Sequence, residues 1–582
     1  MLDQSFPWLT TMVVLPVLGA VVLWALPAGA RRHARTIGLA VSLVVLALGV
    51  LATLQFDTTA AAEHQLEHVV PWIPAFGVSW ALAVDGVGLS LVLLSVVLVP
   101  LVILAAWREH PEAVLADAAA RGASVGAATV TTGTRGRGAT AGGATAAGSR
   151  AGGATAGGAT TATLAPPAAG GAPAYDGARI RSYVALILLL EAFMVAIFAA
   201  RDVFLFYVLF EAMLIPVYFM IGMFGGLQRR YAAVKFLLFS LAGGLVMLVG
   251  VIALYLQAGT GSFLVDDLVG AEMSTTTERL IFLSFFLAFA IKAPMWPVHT
   301  WLPDAAEQAP AGTSALLVGV LDKVGTFGML TLCLPLFPEA SRWAAPVIIV
   351  LAVVSVLYGA LLAIGQQDLM RLIAYTSVSH FGFIVLGIFA FTSVSIQGSS
   401  FYMVNHGLST GALFLLAGFL VARRGSRRIA DFGGLQKVVP VLAGTFLVAG
   451  LSALSLPGLS TFVSEFLVLV GTFTAYPAAA IVATLGVVLA ALYVLLTYQR
   501  VFTGPVRPEL AVTPDLSARE KWVVGPLLAA MLVLGFYPAP ALDLVREPAE
   551  ASLEQVGAED PAPTAGSADA GSTTTTDDGS DQ

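Results

Sequence analysis

The sequence predicts an all-α integral membrane protein with about fourteen transmembrane helices. The chain of 582 residues is 58% hydrophobic, only 11% of its residues are charged, and its mean hydropathy is +0.88. Apolar runs of about 20 residues, long enough to cross a bilayer at about 1.5 Å rise per residue, recur along most of its length. A soluble globule of this size would need more polar surface, so we expect a multi-pass membrane protein.

The charge balance and the cysteine count exclude several classes of function. The net charge of -7 comes largely from an acidic C-terminal stretch, so no nucleic-acid partner is expected. The single cysteine, Cys333, excludes an internal disulfide, a cysteine-based zinc site and an iron–sulfur cluster. None of the five lysines follows a glycine, which excludes a P-loop. His64 and His68 have the spacing of a helical metal pair, but they lack a third ligand, so no metal site is expected.

Composition divides the chain into six segments. In order, we expect N-terminal transmembrane helices 1–3 in residues 1–107, a disordered cytoplasmic insertion rich in Gly, Ala and Thr in 108–181, a first half of five helices in 182–335, a second half of five in 344–503, helix 14 in 522–541, and a disordered acidic tail in 546–582.

The arginines and lysines indicate how the helices are oriented. Alternate loops hold nearly all of them, whereas the loops at residues 58–80 and 258–278 have none. Because basic residues near helix ends collect on the cytoplasmic side, this distribution supports fourteen helices with both termini outside.

Two lysines lie deep inside apolar runs, where lipid should reject them. A charge at the centre of a transmembrane helix costs at least about 2.5–3.5 kcal/mol, so the protein must compensate Lys292 and Lys323. Pro294 and Pro297 follow Lys292 at once and should break that helix, freeing carbonyls that only protein or a water-filled cavity can satisfy. A broken helix beside a buried lysine predicts a hydrated ion path, although a lysine satisfied by a carboxylate is the structural alternative.

Glu211 is the natural counter-charge for a buried lysine. It follows Asp202 by nine residues, about mid-depth in its helix, although a static ion pair would explain it equally well. Asp322 adjoins Lys323 but points about 100° away around the helix, so it need not be its partner. Lys235 is near the cytoplasmic end of its helix, where snorkelling to the surface is a serious alternative to a transport role.

Three histidines and one acid complete the candidate line, by which we mean the series of buried residues that could pass protons across the membrane. Imidazole can both give and accept a proton, so His299, His380 and His406 are candidates for a relay, with a satisfied core histidine as the alternative for each. Glu465 follows a second expected helix break at Pro457. Two half-chains, each with a broken helix and a buried charge, predict an inverted internal repeat of the kind that transporters use.

At these residues the chain resembles the antiporter-like membrane subunits of proton-translocating NADH:quinone oxidoreductase, respiratory complex I, and most of all the M-type subunits. The stretches that carry the resemblance are FEAMLIPVYFMIG, AFAIKAPMWPVHTWLPDAAEQAP, LVGVLDKVGTFGML, QQDLMRLIAYTSVSHFGF and LPGLSTFVSEFL. The acid Glu465 matches M-type subunits, whereas the sister subunits L and N usually have lysine there. Departures are the 108–181 insertion, the acidic tail and Asp322.

The resemblance implies fourteen helices with helices 7 and 12 broken, in two inverted five-helix repeats. It implies proton transfer through Glu211, Lys292, Lys323, His380, His406 and Glu465, with Lys235, His299 and Asp322 in support. Quinone reduction elsewhere in the complex would supply the energy. NADH, FMN, iron–sulfur clusters and quinone would bind to partner subunits, and no cofactor or redox centre is expected on this chain.

The expected partners are the other membrane subunits, especially L and N, together with lipid and protons, in a bacterial-type plasma membrane. The alternatives that share these motifs are a cation/proton antiporter subunit of Mrp type and a membrane-bound hydrogenase subunit. An inert scaffold fits poorly, because it has no reason to retain so many buried charges.

Overall fold

A computed structural model describes residues 6–108 and 177–561 of the chain. Most of the predicted insertion, and the predicted tail beyond residue 561, lie outside the described residues. The predicted end of the insertion at residue 181 is too late, because residues 177–181 already belong to a helix.

The N-terminal segment contains three helices and a β-hairpin. Helices α1 (Trp8–Ala25) and α2 (Ala34–Gln55) are followed by strands β1 (Gln65–Ile73) and β2 (Val78–Val84), which pair antiparallel, and then by α3 (Gly86–Ala105). The hairpin is a departure from the all-α expectation. The sequence at β2, VSWALAV, is rich in β-branched and apolar residues, which favour a strand over a polar loop.

The rest of the described chain is helical. In order, the helices are α4 (Gly177–Ala199), α5 (Val203–Ala212), α6 (Leu214–Phe224), α7 (Arg229–Ala258), α8 (Val265–Leu268), α9 (Thr275–Lys292), α10 (Trp301–Gln308), α11 (Ala311–Leu316), α12 (Lys323–Gly328), α13 (Leu334–Leu336), α14 (Pro338–Ile364), α15 (Leu369–Phe389), α16 (Ser393–Arg424), α17 (Pro440–Ala453), α18 (Ser460–Ala475), α19 (Pro477–Phe502), α20 (Ala518–Phe536) and α21 (Ala539–Gln555).

The helices confirm a multi-pass membrane protein. Within residues 6–108 and 177–561, eleven helical spans are long and apolar enough to cross a bilayer, or twelve if the bent pair α20 and α21 is one span. A count of fourteen stays a prediction, because it also requires that α9 with α10 and α17 with α18 each form one interrupted span. The inverted repeat is likewise a prediction.

Both expected helix breaks are present. Helix α9 ends at Lys292 and α10 begins at Trp301, so Pro294 and Pro297 lie in the gap between them. Helix α17 ends at Ala453 and α18 begins at Ser460, with Pro457 in between. Proline cannot donate a backbone hydrogen bond and clashes with the preceding turn, which explains why neither helix continues.

The burial pattern separates central helices from those that face lipid. Helices α15 and α16, and the span from Ala311 to Leu336, are almost wholly buried, whereas only about a third or fewer of the residues in α2 and α19 are buried. The central span also contains two π-helical segments, Leu317–Leu321 and Met329–Cys333. Lys323, His380 and His406 therefore lie in the most buried helices of the described protein.

The C-terminal segment corrects two predicted boundaries. The helix expected at 522–541 ends at Phe536, and the chain bends by 71° into α21, which runs to Gln555. The prediction of a disordered tail from residue 546 is therefore wrong for the described residues. Val545, Ala549 and Leu553 repeat every four residues and are buried, so an apolar face holds this otherwise acidic helix against the protein.

Candidate functional site

Glu211 and Lys292 lie together in the first half. Glu211 is in the last turn of α5, and Lys292 is the last residue of α9, only 1% exposed. The two charges are close enough to interact, and Lys292 Nζ lies 4.9 Å from the centre of the Phe210 ring. Among the described residues, neither Lys292 Nζ nor Glu211 Oε1 has a hydrogen-bond partner. The pair is thus electrostatic and loosely held, unlike a bonded structural salt bridge.

A glycine on the neighbouring helix makes room for the Glu211 carboxyl. A Cβ added at Gly244 of α7 would lie 1.4 Å from Glu211 Oε1. Only glycine fits this position while the carboxyl stays where it is.

The break after Lys292 leaves carbonyls that the protein itself satisfies in part. Trp301 Nε1 donates to the Ile291 carbonyl at 2.9 Å, and Met295 N donates to the Ala290 carbonyl at 3.0 Å. Trp296 N donates to Ser355 Oγ at 3.2 Å. The broken helix is therefore held open by specific contacts beside the lysine.

Lys323 and His406 form the centre of the site. Lys323 is fully buried, and its Nζ lies 2.7 Å from His406 Nδ1 and donates to the Val318 carbonyl at 2.5 Å. Val318 is in the π-helical segment Leu317–Leu321, where the altered hydrogen-bonding pattern brings this carbonyl within reach. Lys323 Nζ also lies 5.2 Å from the centre of the Phe381 ring.

The line continues through the second half to Glu465. The His406 and His380 rings are 5.2 Å apart, and His380 Nε2 lies 3.1 Å from the Tyr493 hydroxyl. The Tyr402 ring is 6.1 Å from the His380 ring, and its hydroxyl donates to Glu465 Oε2 at 2.6 Å. Buried polar groups therefore run without a long gap from Lys323 to Glu465.

Ser455 supplies a second hydrogen bond to Glu465. Its Oγ donates to Glu465 Oε2 at 2.6 Å from the gap between α17 and α18. Its backbone has φ of 60°, a left-handed conformation that costs about 1 kcal/mol or more for a residue other than glycine. The helix break thus places a donor on the carboxylate.

The contacts of Lys235 and His299 are with residues outside this line, and their supporting role stays a prediction. Lys235 Nζ bonds Asp304 at 2.6 Å, and Arg371 bonds the other oxygen of the same carboxyl at 2.5 Å. His299 is buried, with its ring 5.3 Å from the Tyr358 ring. Lys235 is therefore neither snorkelling freely nor in the line, but part of an ion-pair network that joins the two halves.

The same network extends to the start of α15. Arg371 also bonds Glu307 at 3.0 Å, and Arg427 lies 3.4 Å from Asp368, whose carboxyl caps the first turn of α15. Burial raises the pKa of Asp368 to about 6, although the Arg427 guanidinium beside it opposes the rise.

Three groups at the site, and one further buried acid, are not among the residues predicted from the sequence. Tyr402 precedes His406 by four residues and so shares its helix face, a signal that could have found it. Tyr493 and Ser455 carry no comparable signal. Glu191 of α4 is fully buried, and neither carboxyl oxygen has a hydrogen-bond partner in the part of the chain that the structure describes. It should have been noticed as another acid in an apolar run.

Comparisons with known proteins agree on one family. The profile of the family described as "NADH:quinone oxidoreductase/Mrp antiporter, TM" matches residues 200–492. The chain is 46% identical over 571 residues to NADH-quinone oxidoreductase subunit M of Mycobacterium tuberculosis, covering 96% of each chain. It is 33% identical to the subunit M of Escherichia coli K12, covering 92% of this chain and 95% of the other.

Solved structures share the fold. The match to respiratory complex I from Thermus thermophilus with bound NADH has a TM-score of 0.76 and 30% identity, and it covers 94% of this chain and all of the other. The Mrp complex from Dietzia sp. DQ12-45-1b matches with a TM-score of 0.74 at 22% identity, which shows the fold alone. Broken helices around a line of buried charges define an antiporter-like membrane protein. The chain belongs to the NADH-quinone oxidoreductase subunit M family.

Proposed function

We propose that this chain moves protons across the membrane as a membrane-arm subunit of NADH-quinone oxidoreductase. The family supports membership of that complex, with other membrane subunits as partners. The sister subunits L and N are the specific partners that we propose. The redox cofactors would lie on other chains, and the membrane would be a bacterial plasma membrane with both termini outside. An Mrp-type antiporter is the weaker alternative, because that likeness extends only to the fold.

The observation that carries the mechanism is the near-continuous series of buried polar groups from Lys323 to Glu465. Lys323 is hydrogen-bonded to His406, and Tyr402 is hydrogen-bonded to Glu465. The His380 ring connects these two bonded pairs, because its centre is 5.2 Å from that of the His406 ring and 6.1 Å from that of the Tyr402 ring. Imidazole can both give and accept a proton. Glu465 is the proposed terminal group, from which protons leave to the outside.

The Glu211–Lys292 pair is the proposed coupling element. An opposite charge favours the ionised form of a buried group, so each partner holds the other charged while they are close. A change that separates Glu211 from Lys292 makes the lysine release its proton. No hydrogen bond joins the described atoms of Glu211 and Lys292, so the two side chains can separate without breaking one.

Charge-removing substitutions test this proposal. Lys292→Ala and Glu211→Gln should each abolish most NADH-driven proton uptake by inverted membrane vesicles, while the complex still assembles. Lys437→Ala and Glu509→Gln are matched controls, because both side chains are exposed in loops outside the spans. Normal pumping in either test variant, at normal complex content, would refute the assignment.

A further inference from the structure

Asp322 is a buried carboxyl for which the proposed path from Lys323 to Glu465 gives no role. It lies at the junction between the π-helical segment Leu317–Leu321 and α12, and it is 0% exposed. Neither of its carboxyl oxygens has a hydrogen-bond partner in residues 6–108 and 177–561. A purely structural carboxyl at this depth would be expected to bond to a nearby donor, as Asp202 does at the start of α5.

The backbone of α12 shows which way Asp322 faces. Residues three apart share one face of a helix, so Asp322 lies on the face of Gly325. A Cβ added at Gly325 would be 2.5 Å from the Phe289 carbonyl oxygen and 2.7 Å from Ala293 N. This face therefore packs directly on the end of α9, where Lys292 is the last residue.

Lys323 lies on a different face of the helix from Asp322. It is rotated about 100° from Asp322 around the helix, and its Nζ bonds the Val318 carbonyl and His406. The charges of both Lys292 and Lys323 nevertheless act on the Asp322 carboxyl. Asp322 thus adjoins Lys323 in the chain, and it lies on the face that packs against the end of α9, where Lys292 is.

We propose that Asp322 carries protons between Lys292 and Lys323, joining the two parts of the line. In the first step the Lys292 ammonium loses a proton to the Asp322 carboxylate, leaving a neutral amine and a carboxylic acid. In the second step the Asp322 O–H bond breaks and the neutral Lys323 amine gains the proton, which restores the carboxylate. Each step breaks one bond to hydrogen and forms one, with no other reactant.

A carboxylate at this point also solves an electrostatic problem. Two neighbouring buried ammonium groups repel each other, so Lys292 and Lys323 cannot readily both be charged. A carboxylate beside them stabilises either ammonium group, and it becomes a neutral acid when it accepts the proton of Lys292. The proposal deepens the proposed function and rests on it.

The test compares three variants in the intact complex in inverted vesicles. Asp322→Asn keeps the shape but cannot carry a proton, and we expect protons pumped per NADH to fall about tenfold or more. Asp322→Glu keeps the carboxyl and should restore a substantial part of pumping. Asp543→Asn, an exposed position on α21, is the matched control and should pump normally. Complex content and uncoupled NADH oxidation confirm assembly.

A spectroscopic readout separates a carrier from a fixed charge. Infrared difference spectra between oxidised and reduced complex should contain a carboxylic acid C=O band that disappears in Asp322→Asn and shifts in Asp322→Glu. Absence of that band, or full pumping by Asp322→Asn while Lys292→Ala is inactive, would overturn this inference alone. Full pumping by Lys292→Ala would instead overturn the proposed function.

Discussion

The hydroxyl of Tyr402 offers a sharp probe of the terminal carboxylate. Tyr402→Phe removes one oxygen atom from a fully buried side chain and leaves its ring, so packing is retained. The lost interaction is the 2.6 Å hydrogen bond to Glu465 Oε2. Ser455 already donates to the same oxygen at 2.6 Å, so it cannot replace the missing bond.

The size of the effect follows from the charge on the acceptor. A hydrogen bond to an ionised group contributes about 1.5–3 kcal/mol, and about 1.4 kcal/mol corresponds to a factor of ten. The ionised form of Glu465 should therefore become about 10- to 150-fold less populated relative to its protonated form. Proton release from Glu465 then slows, and proton pumping should fall while uncoupled electron transfer is unchanged.

The assay is NADH-driven acidification of inverted vesicles, followed with a pH-sensitive dye and normalised to uncoupled NADH oxidation. Tyr498→Phe is the control, because it removes a hydroxyl from a partly buried ring of α19 that stacks on Phe502. If Tyr402→Phe pumps like the control while Glu465→Gln does not pump, the hydrogen bond has no part in proton release and the reasoning fails.

Two further predictions concern single positions along the line. Gly244→Ala should displace the Glu211 carboxyl, since a Cβ would lie 1.4 Å from its oxygen, and pumping should fall several-fold although no charge is removed. The control is Gly444→Ala, which should pump normally because no described atom lies within 4 Å of the added Cβ. Equal pumping by the two variants would contradict the close approach at Gly244. Tyr493→Phe removes the partner 3.1 Å from His380 Nε2 and should slow pumping less than loss of His380 itself, as measured against His380→Ala in the same vesicles.

The sequence predicts a multi-pass helical membrane protein from its apolar runs, and the structure confirms this fold class. It also marks most of the candidate site residues, because a charge in an apolar run is costly wherever it occurs. Lys292, Lys323 and Glu465 were recognised on that basis alone. The bond between Lys323 and His406 joins residues 83 positions apart, and no local pattern predicts such a contact. Tyr493 could not be found either, since an aromatic residue in a transmembrane helix is common and carries no charge to mark it.

The tail and the hairpin show a different limit. An acidic composition predicts disorder from residue 546, but α21 runs to Gln555 and buries Val545, Pro548, Ala549 and Leu553 against the protein. The β-hairpin lies in a segment whose sequence we interpret through its lack of Lys and Arg and through the spacing of His64 and His68, and neither feature indicates a strand. Composition describes a segment's average, whereas a short amphipathic element depends on a few positions within it.

The C-terminal helix α21 and the residues after it restrict how the parts of the protein can move relative to one another. At one face of the protein, Glu547 accepts a hydrogen bond from Ala61 N at 2.7 Å, and Asp560 accepts one from Ser393 N at 2.9 Å. At the opposite ends of the helices, Asp304 is bonded by both Lys235 and Arg371. The C-terminal residues therefore tie the N-terminal segment to the second half at one face, and Asp304 ties the first half to the second half at the other. Rigid rocking of one half against the other would break the bonds to Asp304, whereas a turn of one side chain in the line would leave them intact.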